Sequence, residues 1–174
     1  KPGVAQLQQQ KFRRLIEFAA KHSPYYARII RERNINLASC TPEDFPVLTK
    51  TALIEHFDDV VTDRRITKNN IEQFLQDSQD PNDLFLNHYV VVHTSGSSGT
   101  IGYYIYSSTE FLTGLGPIAR TKSLHLMQKM AYVGAARGHF AGVSMAAAAN
   151  KLWPFYRSLR LYDINAPFDQ TINQ

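Results

Sequence analysis

The stretch "HTSGSSGTIG", residues 93–102, constrains this chain more than any other. It places three glycines, three serines and two threonines between "YVVV" and "YYIYS". Both flanks are β-branched or aromatic and read as strands. The pattern predicts that residues 89–93 and 102–107 pair as antiparallel strands, with residues 94–101 exposed between them. Hairpin connections usually need only about two to five residues. Eight is an excess that asks for a chemical reason.

Several readings compete for that loop. Gly/Ser-rich runs join domains as flexible linkers, but a linker does not need a matched strand on each side. A Walker-type loop requires G-x-x-x-x-G-K-[ST] opening a helix, and Thr100 follows Gly99 where the Lys belongs. A dinucleotide fingerprint, G-x-G-x-x-G, also opens a helix, whereas here the glycines fall at 96, 99 and 102 and a strand follows. Neither Ser97 nor Ser98 has the glycines that a G-x-S-x-G nucleophile elbow needs. What remains is a strand–loop–strand phosphate cradle. Glycines let the backbone approach an anion and adopt positive φ. Successive N–H groups then form a nest, to which Ser95, Ser97, Ser98 and Thr100 add uncharged hydroxyl donors.

The rest of the chain frames this loop. Its 174 residues are 44% apolar and 20% charged, a globular composition. No apolar run approaches the ~18 residues of a membrane span, so no integral membrane segment is expected. The first ten residues are polar and lack the apolar core of a secretory signal. The single Cys40 cannot form an internal disulfide, which fits a reducing cytoplasm. Charge is uneven. Residues 1–36 carry eight Lys/Arg against two Glu, and residues 41–83 carry four against ten acids. A basic first helix would suit nucleic acid or an anionic membrane surface, beside the plainer reading of a solvated face. It lacks interleaved aromatic platforms and the acidic segment would repel phosphate, so no nucleic-acid partner is expected.

Apolar residues at three- and four-residue steps predict a helix from Val4 to His22, and Ser23-Pro24 opens a second over "PYYARIIRER". Thr41-Pro42-Glu43-Asp44 reads as another helix start, while Thr49 and Thr67 cap "KTALIEHF" and "KNNIEQFLQ". After Pro81 the pattern becomes strand, loop, strand. Ser107 to Glu110 then spells a capping box before a long helical stretch that Gly114, Gly116 and Pro117 should kink or split. "AYVGA" and "SLRLYDI" read as strands flanking an Ala-rich helix. The alternation predicts an α/β fold. It comprises an N-terminal helical region (1–83) and, from 84 to 174, the start of an α/β domain with a mixed sheet flanked by helices. "FDQTINQ" reads as helix running uncapped to the last residue, so the sequence is expected to be the N-terminal part of one larger domain.

"HTSGSSGT" resembles the signature loop of the adenylate-forming (AMP-binding) enzymes, the superfamily that includes acyl-CoA synthetases. His93 before the loop, "SPYY" followed by "DFPVLTK", and the later "GHFAG" are similar to its phenylacetate–CoA ligase, coenzyme F390 synthetase and capsule-biosynthesis branch. The likeness spans essentially the whole chain at the level of an N-terminal half. It implies that Thr94, Ser95, Gly96, Ser97, Ser98, Gly99 and Thr100 hold the β- and γ-phosphates of ATP. It further implies a small-molecule carboxylate substrate, Mg²⁺ accompanying the nucleotide, and a thiol acceptor such as coenzyme A. The Mg²⁺ ligands and catalytic residues are expected C-terminal to this stretch, leaving the 174-residue piece inactive alone. The chain departs from the family where Ile101-Gly102 stand in place of Pro, often beside a Lys. A degenerate nucleotide-binding or scaffolding module of the same fold is the alternative, and a homodimer is compatible with either.

Two histidines are candidates for substrate contact. His93 either orients the loop, touches substrate, or simply closes a strand. His139, in "GHFAG", sits where a cap or turn role stands beside a ligand contact. The other histidines and Cys40 show no metal-ligand spacing.

Overall fold

Short polar residues decide where most of the helices begin. The computed structural model of the chain describes residues 3–96, 99–121, 130–152 and 159–167, and it is mixed α/β. It divides into two units, Lys1–Asn70 and Ile71–Gln174.

In the first unit, α1 (Val4–His22) and α2 (Pro24–Glu32) are separated by Ser23 alone. Pro24 occupies the first helical position, where no N–H is needed. Ser23 is 1% exposed, and its hydroxyl donates to the Asp59 carbonyl at 2.9 Å. Thr49 caps α3 (Lys50–Glu55) by accepting the Ala52 N–H at 3.2 Å, and α4 (Phe57–Val60) follows. Buried Ile16, Ala19 and Cys40 form the core, with Phe12, Tyr26 and Phe45 packed against them. Phe12 meets Phe45 edge-on at 6.0 Å.

The helix start predicted at Thr41 yields only a 3₁₀ turn, Pro42–Asp44. The Asp44 carboxylate does accept the Thr41 N–H at 2.8 Å, as a helix cap would. Pro46, however, disfavours the α conformation at Phe45, which is extended at φ −99° and ψ 145°. The turn therefore has nowhere to propagate. Thr67 and Asn70 cap α5 (Lys68–Asp77) reciprocally, each backbone N–H donating to the other's side chain at 2.8 and 3.3 Å. The division between units falls inside this helix.

The second unit carries the strands. β1 (Tyr89–His93) and β2 (Tyr103–Ser107) pair antiparallel, from Tyr89 opposite Ser107 to His93 opposite Tyr103. Gly102 is buried just ahead of β2 and opens no helix. The Glu110 carboxylate takes the Ser107 N–H and hydroxyl at 2.8 and 2.7 Å, completing the capping box that starts α6 (Ser108–Thr121). Contrary to the split expected at Gly114, Gly116 and Pro117, α6 continues through all three. A proline removes one hydrogen bond of the ladder, and two glycines add only about 1 kcal/mol each, which a helix anchored at its N-terminus tolerates.

β3 (Met130–Gly134) and β4 (Leu159–Asp163) pair in parallel, joined by α7 (Ala141–Leu152) as the crossover. α7 lies against β1, β3 and β4 with Val143 fully buried. Gly142 permits that approach, since a Cβ there would stand 2.6 Å from the Tyr132 hydroxyl. The end of the long helical stretch at 122–129 and the helix predicted at 168–174 lie outside the described residues. Among the described residues no helix is long and apolar enough to cross a membrane.

Candidate functional site

At the His93 end of β1 the chain turns into the glycine loop, and the loop's base is stapled. The Thr94 N–H donates to the Gly102 carbonyl at 3.0 Å, and the Thr94 hydroxyl oxygen accepts the Gly102 N–H at 2.9 Å. Gly96 and Gly99 stand at φ +71° and +82°, and the Gly99 N–H closes a tight turn onto the Gly96 carbonyl at 2.8 Å. Both glycines therefore occupy the left-handed region that side chains disfavour. The N–H groups of Ser95, Gly96 and Thr100 find no acceptor among the described residues. Ser95 and Gly99 are exposed, and Thr94, Gly96 and Thr100 half-buried. Ser97 and Ser98, central to the sequence reading, lie outside the described residues.

A cleft of about 390 Å³ opens beside the loop, lined by residues of α5 and its C-terminal exit, both ends of the loop's base, and the "GHF" turn. Both candidate histidines line it, brought together although they are far apart in sequence. The His93 N–H donates to the His139 carbonyl at 3.0 Å, and Phe140 bridges to His93 in parallel fashion, so the turn continues the sheet beyond β1. The rings of His93 and Phe140 lie 4.3 Å apart. His93 Nδ1 sits 3.1 Å from the Thr94 carbonyl oxygen. A carbonyl only accepts, so Nδ1 carries a proton and donates it.

His139 is held differently. It is 1% exposed, with its Nε2 3.1 Å from the Ser78 hydroxyl, which lies 2.7 Å from the Asp83 carboxylate. Ser78 gives its single proton to Asp83, so it accepts from His139 Nε2–H. Burial pushes the His139 pKa down from its ordinary value, and neighbouring His93 adds to this, against Asp83 and Asp80. The ring is therefore neutral. The order Asp83–Ser78–His139 is not that of a hydrolytic triad, because the imidazole does not take the serine proton. Gly138, at φ +80°, makes the turn that puts His139 inside, and its N–H donates to the Gln79 carbonyl at 2.8 Å.

On the opposite wall the Tyr103 hydroxyl donates to Glu72 Oε1 at 3.0 Å. Burial, then the hydrogen bond and charge of Glu72, push the tyrosine up to about 12. Glu72, Ser78, Asp83 and Tyr103 escaped the sequence reading, since no spacing links residues on a helix, a turn and a strand. The one available signal was position: Tyr103 opens the strand that leaves the loop. Among the described residues no three His, Cys, Asp or Glu gather as metal ligands, and no Lys or Arg lines the cleft.

No family model, curated protein or solved structure matches this chain.

Proposed function

We propose that the chain serves ATP-dependent activation of a carboxylate, as the phosphate-holding portion of an adenylate-forming enzyme. The observation that carries this reading is the stapled loop between antiparallel strands, with left-handed glycines and with Ser95, Gly96 and Thr100 N–H groups that meet no acceptor among the described residues. It fits an anion nest in which every donor is neutral. MgATP is the nucleotide substrate, and residues 94–100 hold its β- and γ-phosphates. The carboxylate attacks the α-phosphate, giving an acyl-adenylate and pyrophosphate, and a thiol such as coenzyme A then accepts the acyl group. This chain's part is binding and orientation. Thr94 fixes the loop's base, while Ser95 and Thr100 offer hydroxyl and amide donors. His93 and His139 frame the adjoining cleft, His139 as a neutral imidazole.

The test is carboxylate-dependent ATP–pyrophosphate exchange over a panel of aromatic and aliphatic acids, run on a full-length protein that contains this stretch. Exchange should be weakened about tenfold or more by Ser97→Ala with Ser98→Ala, at unchanged circular dichroism, since a hydrogen bond to a charged group contributes about 1.5–3 kcal/mol. Equal kinetics would reduce the loop to a spacer. The alternative of a non-catalytic nucleotide-binding module draws on Ile101-Gly102, where the family carries Pro and often Lys, and on the cleft's lack of a lysine or arginine among the described residues. It would show as nucleotide binding without exchange.

A further inference from the structure

We propose that α1 carries a second apolar face that seats on an anionic lipid surface. At about 100° per residue, Phe12, Ile16 and Ala19 share the side of α1 that faces the core. Val4, Leu7, Leu15 and Phe18 fall roughly a third of a turn away, on a ridge of their own. They are 75%, 45%, 65% and 50% exposed, on a helix whose buried side is already filled. Lys11 lies within that ridge, with Arg14 and Lys21 along one flank, all three exposed. The sole acid of α1, Glu17, lies about 120° from the ridge, beyond Arg14 and Lys21.

An apolar ridge with cations and no carboxylate fits an anionic partner, and its shape selects which one. The ridge is convex, so a protein partner would need a matching groove. A second copy of α1 laid against it would oppose like charges. A bilayer interface accepts a convex ridge directly: apolar side chains enter the headgroup boundary while Lys and Arg stems reach back to the lipid phosphates. At ~1.5 Å per residue, the 19 residues of α1 lie about 28 Å along such a surface. The helix lies on the membrane and does not cross it.

The experiment is co-sedimentation of the chain with phosphatidylcholine vesicles, with and without phosphatidylserine, over a range of salt. Binding is expected only to the anionic vesicles, weakening as salt screens the cations. Leu15→Asp with Phe18→Asp should reduce it about tenfold or more with circular dichroism unchanged, because neither side chain belongs to the core. Lys11→Glu with Arg14→Glu should abolish the preference for phosphatidylserine. No binding to anionic vesicles, or binding indifferent to the Leu15/Phe18 pair, overturns the proposal. So does self-association of the parent that the same pair abolishes, which would assign the ridge to a second copy.

Discussion

The two units share short polar ties and differ in the long ones. In Lys1–Asn70 most hydrogen bonds from side chains close within three residues: Asp44 to Thr41, Thr49 to Ala52, Thr67 to Asn70, Asp63 to Arg65. Ser23 reaching Asp59 is the main tie across the unit. Ile71–Gln174 has short ties too, such as Glu110 to Ser107 and Asp163 to Asn165, but it adds several long ones. His139 holds Ser78 across 61 residues, Tyr103 holds Glu72 across 31, and the Ser108 hydroxyl holds the His88 carbonyl across 20. Local bonds set where helices start. Distant bonds set where walls stand, and His139, Glu72 and Tyr103 all line the same cleft.

The comparison breaks most visibly at His139. His139→Ala leaves a buried gap and an unsatisfied Ser78, and should cost the second unit about 3 kcal/mol. Amide hydrogen exchange should register the loss in Ile71–Gln174 and leave α1 and α2 unchanged. The same residue sets an acid limit. Its folded pKa lies below the ordinary value of about 6.5, so the unfolded chain takes the proton first. Its contribution is complete above about 6.5 and is lost as pH falls below that value. Urea midpoints measured across pH 7 to 5 (roughly the histidine window) should slope in the parent and flatten in the alanine variant.

Tyr103→Phe comes next, because it keeps the ring and removes only the bond to Glu72. A loss of about 1.5 kcal/mol is expected, again confined to the second unit. In the parent, ultraviolet titration should place this tyrosine near 12. The sign is opposite to that of His139. A raised tyrosine pKa confers stability that is complete below the ordinary value near 10 and is lost as pH climbs from about 10 to about 12. Ser23→Ala is the smallest of the three, about 1 kcal/mol for a cap and one buried bond, and it belongs to the first unit. A Ser23 effect spreading to the cleft amides would end the contrast between local and distant ties.

The same division explains what could be read from the residues alone. Periodicity and caps are local, so α1, α2, the boxes at Ser107 and Thr67 and the strand pair around the loop follow directly from neighbours in sequence. The errors arose where a neighbour overruled a cap, as Pro46 does after Thr41, or where anchoring overruled a breaker, as in α6. The loop and both histidines were visible as motifs. Their convergence was not, because the turn at Gly138 and the tie from His139 to Ser78 depend on contacts that no window of sequence contains. The glycines of "GHFAG" have packing reasons: Gly138 makes a left-handed turn and Gly142 clears the Tyr132 ring.

The bond between Ser78 and His139 also has a consequence in time. Closing a chain loop becomes harder with its length, by about 0.6 kcal/mol for each doubling, before the contact returns anything. The β1–β2 pair closes over a short separation and can form early, carrying the stapled glycine loop with it. The tie at 61 residues must wait until α7's entry has been brought back to the end of α5. The stapled loop is therefore expected to form before the cleft beside it, and refolding should restore hydrogen-exchange protection at Thr94 and Gly102 ahead of the protection at His93, whose N–H waits for the His139 carbonyl.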